Sequence, residues 1–185
     1  INKSIHYYTL AANQNDLNAQ LMLGFIYYEG KHISRDTNES IHYFSLAANK
    51  NVPIAQFMLG HIYYEGKQFS RDINKSIHYF SLAANKNDPS AQNKLGVIFY
   101  EGKYVLRDIN KSIHYFSLSA KQNNKDAQFI LGLIYYDGKH ISRDINKSIH
   151  YLTLAANKNN QDAQFNLGVI YYEGKYIARD INKSI

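Results

Sequence analysis

The chain contains no cysteine. Disulfides and thiolate metal centres are therefore excluded, and a reducing, cytoplasmic setting fits this absence. No run of 18 apolar residues occurs, which excludes a membrane-spanning helix. No secretory leader pattern stands at the start. There is no phosphate-binding glycine loop, no dinucleotide fingerprint and no serine or cysteine triad pattern. Sustained alternation of apolar and polar residues is missing, so no strand is expected. Proline occurs twice, at Pro53 and Pro89, and glycine ten times.

Those glycines are placed with strict regularity. Gly24, Gly60, Gly96, Gly132 and Gly168 form one ladder with a spacing of 36, and Gly30, Gly66, Gly102, Gly138 and Gly174 form another. Together they use every glycine in the chain. A fixed period of this length marks a solenoid or array, in which each unit buries its apolar face against its neighbours. Residues 1–185 read as one array of about five repeats that starts and ends mid-repeat, since INKSI stands at both ends. On this reading it is an excerpt of a longer array, with ends that lack polar capping repeats and can stack on further repeats or on another chain.

One unit serves for all. Pro89 suits the first position of a helix, where its missing N–H costs nothing, and Asp88 is a natural N-cap. Ala91, Leu95, Ile98 and Phe99 then recur at amphipathic spacing. Gly102 marks the stop, as a left-handed C-terminal glycine. This is helix A. Gly96 lies in its middle, where glycine costs about 1 kcal/mol relative to alanine. Its recurrence at one phase predicts a neighbouring helix too close for a side chain. After the loop, Asp108 caps helix B, with Ile109, Ile113, Phe116 and Ala120 facing inward. Asp36 with Glu39 predicts a full capping box at the equivalent place. Asn15, Asn51, Asn87, Asn123 and Asn159 end the B helices in the left-handed region.

The unit Asp72, Lys75, Ser76, Tyr79, Ala83, Ala84, followed by Ala91, Gln92, Leu95, Gly96, Phe99, Tyr100 and Gly102, resembles the Sel-one-like repeat (SLR) family, a relative of the tetratricopeptide repeat. The chain departs from it where His32, Gln68, Tyr104, His140 and Tyr176 replace a loop glycine, and where asparagine replaces glycine at the B-to-A turn. The resemblance implies an all-α superhelix of antiparallel helix pairs. It also implies a concave face, lined mainly by A helices, that holds protein or peptide partners, and a role as a non-catalytic adaptor with no cofactor.

Several ladders invite chemistry. His6, His42, His78, His114 and His150 repeat once per unit, but helices one unit apart lie at least about 8–10 Å from each other, too far to share a metal ion. Glu29, Glu65, Glu101, Asp137 and Glu173 precede the helix-ending glycines. Five equivalent carboxylates without a cleft read as ion pairs with nearby loop cations such as Lys31 and Arg35, not as an acid–base pair. The serine column fills a small-residue slot on helix B.

Net charge is +6, from 21 basic against 15 acidic residues. Lys31, Arg35, Lys67, Arg71, Lys103, Arg107, Lys139 and Arg143 all fall in A-to-B loops and define a basic edge. An array binding nucleic acid or an acidic surface is the alternative function. The neighbouring aspartates cancel part of that field, and most tyrosines occupy packing columns. The units differ most at Leu21, Phe57, Asn93, Phe129 and Phe165, and in the next column at Met22, Met58, Lys94, Ile130 and Asn166. Apolar side chains turned away from the packing stripe are where a partner docks. Phe57, Asn93, Lys94, Phe129, Phe165 and Asn166 are the candidate groove residues of a protein-interaction scaffold. A third class is an enzyme, or a regulatory module fused to one elsewhere in a longer chain, which predicts no turnover by these residues alone.

Overall fold

Asp36, Asp72, Asp108 and Asp144 each accept a backbone amide from the first turn of the helix that follows. Asp16, Asn124 and Asn160 do the same for the alternate helices. The computed structural model describes residues 2–66 and 70–174. Within them lie ten helices and no strand. The B helices are α1 (Asn2–Asn13), α3 (Thr37–Asn49), α5 (Ile73–Asn85), α7 (Ile109–Lys121) and α9 (Ile145–Ala156). The A helices are α2 (Leu17–Glu29), α4 (Pro53–Glu65), α6 (Pro89–Glu101), α8 (Lys125–Asp137) and α10 (Gln161–Glu173). The fold is all-α, of the solenoid class, built from tandem antiparallel helix pairs.

Two compact units are distinguished, Ile1–Ala91 and Gln92–Ile185. In the first, Phe44, Ala47, Ala55 and Leu59 form a fully buried cluster at the α3–α4 contact, with Met58 and Ile62 beside them. In the second, Phe116, Ala127 and Leu131 are wholly buried, and a further cluster joins Leu152, Ala155 and Ala163. Burying one such phenylalanine or leucine contributes about 1.5–3 kcal/mol.

The mid-helix glycines behave as the ladder predicts. A β-carbon on Gly24 would stand 2.6 Å from the Phe44 ring, and Gly60, Gly96 and Gly132 meet Phe80, Phe116 and Leu152 at the same distance. The facing serine is more than small. Ser40, Ser76 and Ser112 are buried, and each donates its hydroxyl to the carbonyl of the glycine opposite, at 2.8–2.9 Å. A and B helices are thus joined at their closest approach by shape and by a hydrogen bond that the helix ladder does not use.

The turns follow the same logic. Gly30, Gly66, Gly102, Gly138 and Gly174 have φ between 58° and 63°, and the five B-terminal asparagines have φ between 58° and 67°. The capping box at Asp36 is only half made. Asp36 accepts from the Asn38 and Glu39 amides, but its own N–H donates to the Tyr27 carbonyl at 3.0 Å. Glu39 therefore has no donor left to reach for. The same amide-to-carbonyl bond recurs from Asp72 to Tyr63, Asp108 to Phe99 and Asp144 to Tyr135. It ties the start of each B helix to the preceding A helix.

Candidate interaction surface

The loop cations are engaged by the protein itself. The last carbonyls of an α-helix have no partner within it, and the arginines supply one. Arg71 donates to the Tyr64 and Glu65 carbonyls at 2.6 and 3.4 Å. Arg107 donates to the Glu101 carbonyl at 3.2 Å, and Arg143 to the Asp137 carbonyl at 3.3 Å. Their guanidinium groups also lie over aromatic rings, Arg35 at 4.7 Å from Tyr28 and Arg143 at 5.8 Å from Tyr136. Lys31, Lys103 and Lys139 are exposed. Lys103 lies over its neighbour Tyr104 at 5.1 Å. Lys67 lies outside the described residues.

Two members of the acidic ladder, Glu65 and Glu173, pair across repeats instead of within their own loops. Glu65 accepts the Tyr28 hydroxyl at 3.2 Å and stands 3.9 Å from Arg35. Glu173 accepts the Tyr136 hydroxyl at 3.3 Å. Tyrosine and glutamate are 37 positions apart in both cases. Partly exposed pairs of this kind contribute at most about 1 kcal/mol, so their value lies in register more than in energy. Sequence reasoning assigned Glu29 and its counterparts to flanking loop cations. The arginine instead reaches forward to the next helix A, because its stem is laid against the tyrosine ring.

A second aromatic register runs between helices of a pair. Tyr27 stacks on Tyr43 at 5.9 Å with nearly parallel rings, as do Tyr63 with Tyr79, Phe99 with Tyr115 and Tyr135 with Tyr151. Lys75, Lys111 and Lys147 cover these pairs at 5.1–5.2 Å. Desolvation lifts the Tyr27 and Tyr79 hydroxyls above their ordinary value of 10.0. The tyrosine columns are thereby occupied in packing. His42, His78, His114 and His150 are exposed, each edge-on to the tyrosine that follows it. Among the described residues no three histidines or carboxylates gather as metal ligands.

The groove candidates divide by environment. Phe57 is half-buried, its ring 5.5 Å from Phe80 and 6.2 Å from His61. Phe129 packs on the cluster of Leu152 and Ala155. Phe165 is 72% exposed, and no described residue covers it. Asn93 and Lys94 are half-buried, and Asn93 keeps a buried side-chain oxygen without a hydrogen-bond partner. Asn166 donates to the Asp162 carbonyl at 2.7 Å. Phe57 belongs to the first unit and the other five to the second. Met22 and Ile54, on α2 and α4, are also exposed, at 42% and 44%.

A repeated helix pair held by a glycine–aromatic contact, a serine–carbonyl bond and a left-handed glycine is matched by one family. The Sel1 repeat model covers residues 1–16, 17–52, 53–88, 89–124, 125–160 and 161–185. The chain belongs to the Sel1 repeat family. Among solved structures it is similar to c5321, a protective antigen of uropathogenic Escherichia coli strains with an SLR fold, at a TM-score of 0.89 and 28% identity; 97% of this chain aligns with 40% of that one. It is also similar to a Sel1 repeat protein from Oxalobacter formigenes, at a TM-score of 0.84 and 31% identity, covering 97% of this chain and 74% of that one. Helicobacter pylori cysteine rich protein B aligns at a TM-score of 0.54 and 25% identity, over 72% of this chain and 96% of its own. No curated protein sequence matches. Sel1 repeats form a non-catalytic scaffold family whose members bind protein partners. Among the described residues no helix is long and apolar enough to cross a membrane.

Proposed function

We propose that this chain is a non-catalytic interaction scaffold, a single Sel1 array over residues 1–185, which takes a peptide or protein along a concave groove lined by its A helices. The observation that supports this most directly is the contrast between framework and surface. A β-carbon on the mid-helix glycine would stand 2.6 Å from the facing phenylalanine or leucine in four successive pairs, while the column after the alanine–glutamine pair changes from exposed Met22 to buried Met58 to half-buried Lys94 and Asn166. Identical scaffolding under varied surface chemistry is what a partner-reading array needs. Lys94, Asn93, Phe165 and Asn166 supply the varied contacts, and Phe57 and Phe129 add the edges that packing leaves open. A cytoplasmic location accompanies this reading, on the absence of cysteine.

The nucleic-acid alternative has less to draw on. The arginines spend donors on helix-end carbonyls, and aspartates stand beside them. Crosslinking in native extract followed by mass spectrometry identifies the partner. The proposal expects a protein whose retention survives moderate salt and falls when Phe165 is changed to Ser. Retention of nucleic acid that collapses steeply with salt overturns it. So does a Phe129→Ser, Phe165→Ser variant that loses its melting transition while partner capture is untouched.

A further inference from the structure

The acidic ladder contains one aspartate, Asp137, among glutamates. In the first unit, Glu65 fills the space between consecutive A-to-B loops by meeting the Tyr28 hydroxyl and Arg35. In the second, Glu173 meets Tyr136 in the same way. The corresponding trio in the second unit is Tyr100, Arg107 and Asp137. Aspartate is one methylene shorter, and among the described residues its carboxylate makes no hydrogen bond or ion pair. The Tyr100 hydroxyl is likewise without a protein partner there. Arg107 turns aside to His140, with Nη1 3.4 Å from Nε2. Where the glutamate would have stood, a cleft of about 540 Å³ opens, lined by Tyr100, Glu101, Lys103, Arg107, Asp137, Lys139 and His140.

We infer that this cleft binds a carboxylate supplied from outside, the acidic side chain of a partner peptide. The argument is one of replacement. Two other repeats show what this pocket holds when it is full, a glutamate carboxylate accepting a tyrosine hydroxyl, and in one of them an arginine lies close beside it. The Tyr100–Asp137 repeat keeps the tyrosine and the arginine and withdraws the carboxylate. A hydrogen bond to a charged group is stronger than a neutral one, so the vacated donors favour an anion of the same shape. Lys103, Arg107 and Lys139 outnumber the carboxylates of Glu101 and Asp137, and His140 adds a further nitrogen. The volume falls within the range of about 300–1,000 Å³ typical of ligand pockets. This inference rests on the scaffold reading and names the chemistry of one partner contact.

The test is fluorescence anisotropy of a fluorescein-labelled hexaglutamate peptide with the full chain. The native protein should bind it saturably and leave hexaglutamine unbound. Asp137→Glu refills the pocket with the residue the other repeats carry, so the fold is kept and hexaglutamate affinity should fall about tenfold or more, as expected for lost charge-assisted hydrogen bonds. Tyr100→Phe, which deletes only the hydroxyl, should weaken binding by a smaller factor. Lys31→Gln, in the other unit, should change nothing. Equal binding by native and Asp137→Glu proteins overturns the inference, as does an equal loss in Lys31→Gln, which would signify diffuse charge attraction. Preferential binding of hexalysine assigns the cleft to cations. Displacement by inorganic phosphate where acetate fails assigns it to phosphate. If a crosslinked protein partner is held undiminished by Asp137→Glu while that change leaves hexaglutamate binding unaltered, the scaffold stands and the cleft assignment alone fails.

Discussion

The Phe80 ring occupies the place where a β-carbon on Gly60 would stand, 2.6 Å from the nearest ring atom. Phe80 is wholly buried, and the Ser76 hydroxyl holds the Gly60 carbonyl from the same helix. Neither partner can retreat without breaking the other contact. Gly60→Ala should therefore destabilise the protein by about 1–3 kcal/mol, the cost of overpacking, although alanine is the better helix former. A urea titration reads the change. A stabilised variant would show that the helices separate more easily than the distance implies.

The serine column gives an internal comparison. Ser76 donates to Gly60 at 2.8 Å, whereas the Ser148 hydroxyl is buried without a partner. Ser76→Ala leaves a carbonyl unsatisfied beyond its ladder bond and should cost about 1 kcal/mol. Ser148→Ala deletes a hydroxyl that gains nothing and should be neutral or slightly stabilising. Equal losses at the two positions would sink the hydrogen-bond explanation and leave only side-chain size.

Asn51 is exposed and sits at φ 61°. Glycine tolerates this conformation better, and alanine worse. Asn51→Gly should hold or raise the melting midpoint, and Asn51→Ala should lower stability by about 1 kcal/mol. If the order is reversed, the asparagine side chain contributes more than its backbone tolerance.

Acid should act through the caps of the B helices. The backbone amides of Lys111 and Lys147 hold the Asp108 and Asp144 carboxyls below their ordinary 3.8. A folded-state pKa below the unfolded value adds stability that is present above about pH 3.8 and is lost as pH falls through the folded value. Urea midpoints should thus decline in that acid window. Asparagine caps equally well but does not titrate there, so changing both aspartates to asparagine should flatten the decline. An unchanged slope would place the acid sensitivity elsewhere.

Much of this architecture is readable from the residues because it depends on local backbone chemistry repeated in register. Pro89 and Gly102 bracket helix A because each residue has a conformational bias of its own. Gly96 betrays a close approach because nothing else explains glycine in mid-helix. The Tyr28–Glu65 bond is different. It depends on the rise between successive helix pairs, which no single residue encodes, and Glu29, Glu65 and Lys31 offer several equally plausible ion pairs on paper. Arg71 and Arg107 misled for a related reason. A loop arginine reads as free charge until the orphan carbonyls of the preceding helix are seen beneath it. The half-made capping box at Asp36 failed because the amide it needs is claimed by Tyr27, 9 positions back, across the loop.

The Tyr28–Glu65 bond spans 37 positions, one repeat and one residue more. Contacts of that reach are recreated whenever a whole module is removed or added. Because near-identical INKSIHY-type segments recur at the 36-residue period, unequal exchange between copies of the gene would lengthen or shorten the product in frame, with each such tyrosine keeping an acidic residue 37 positions ahead. A change in module number by this route leaves the geometry of each module fixed.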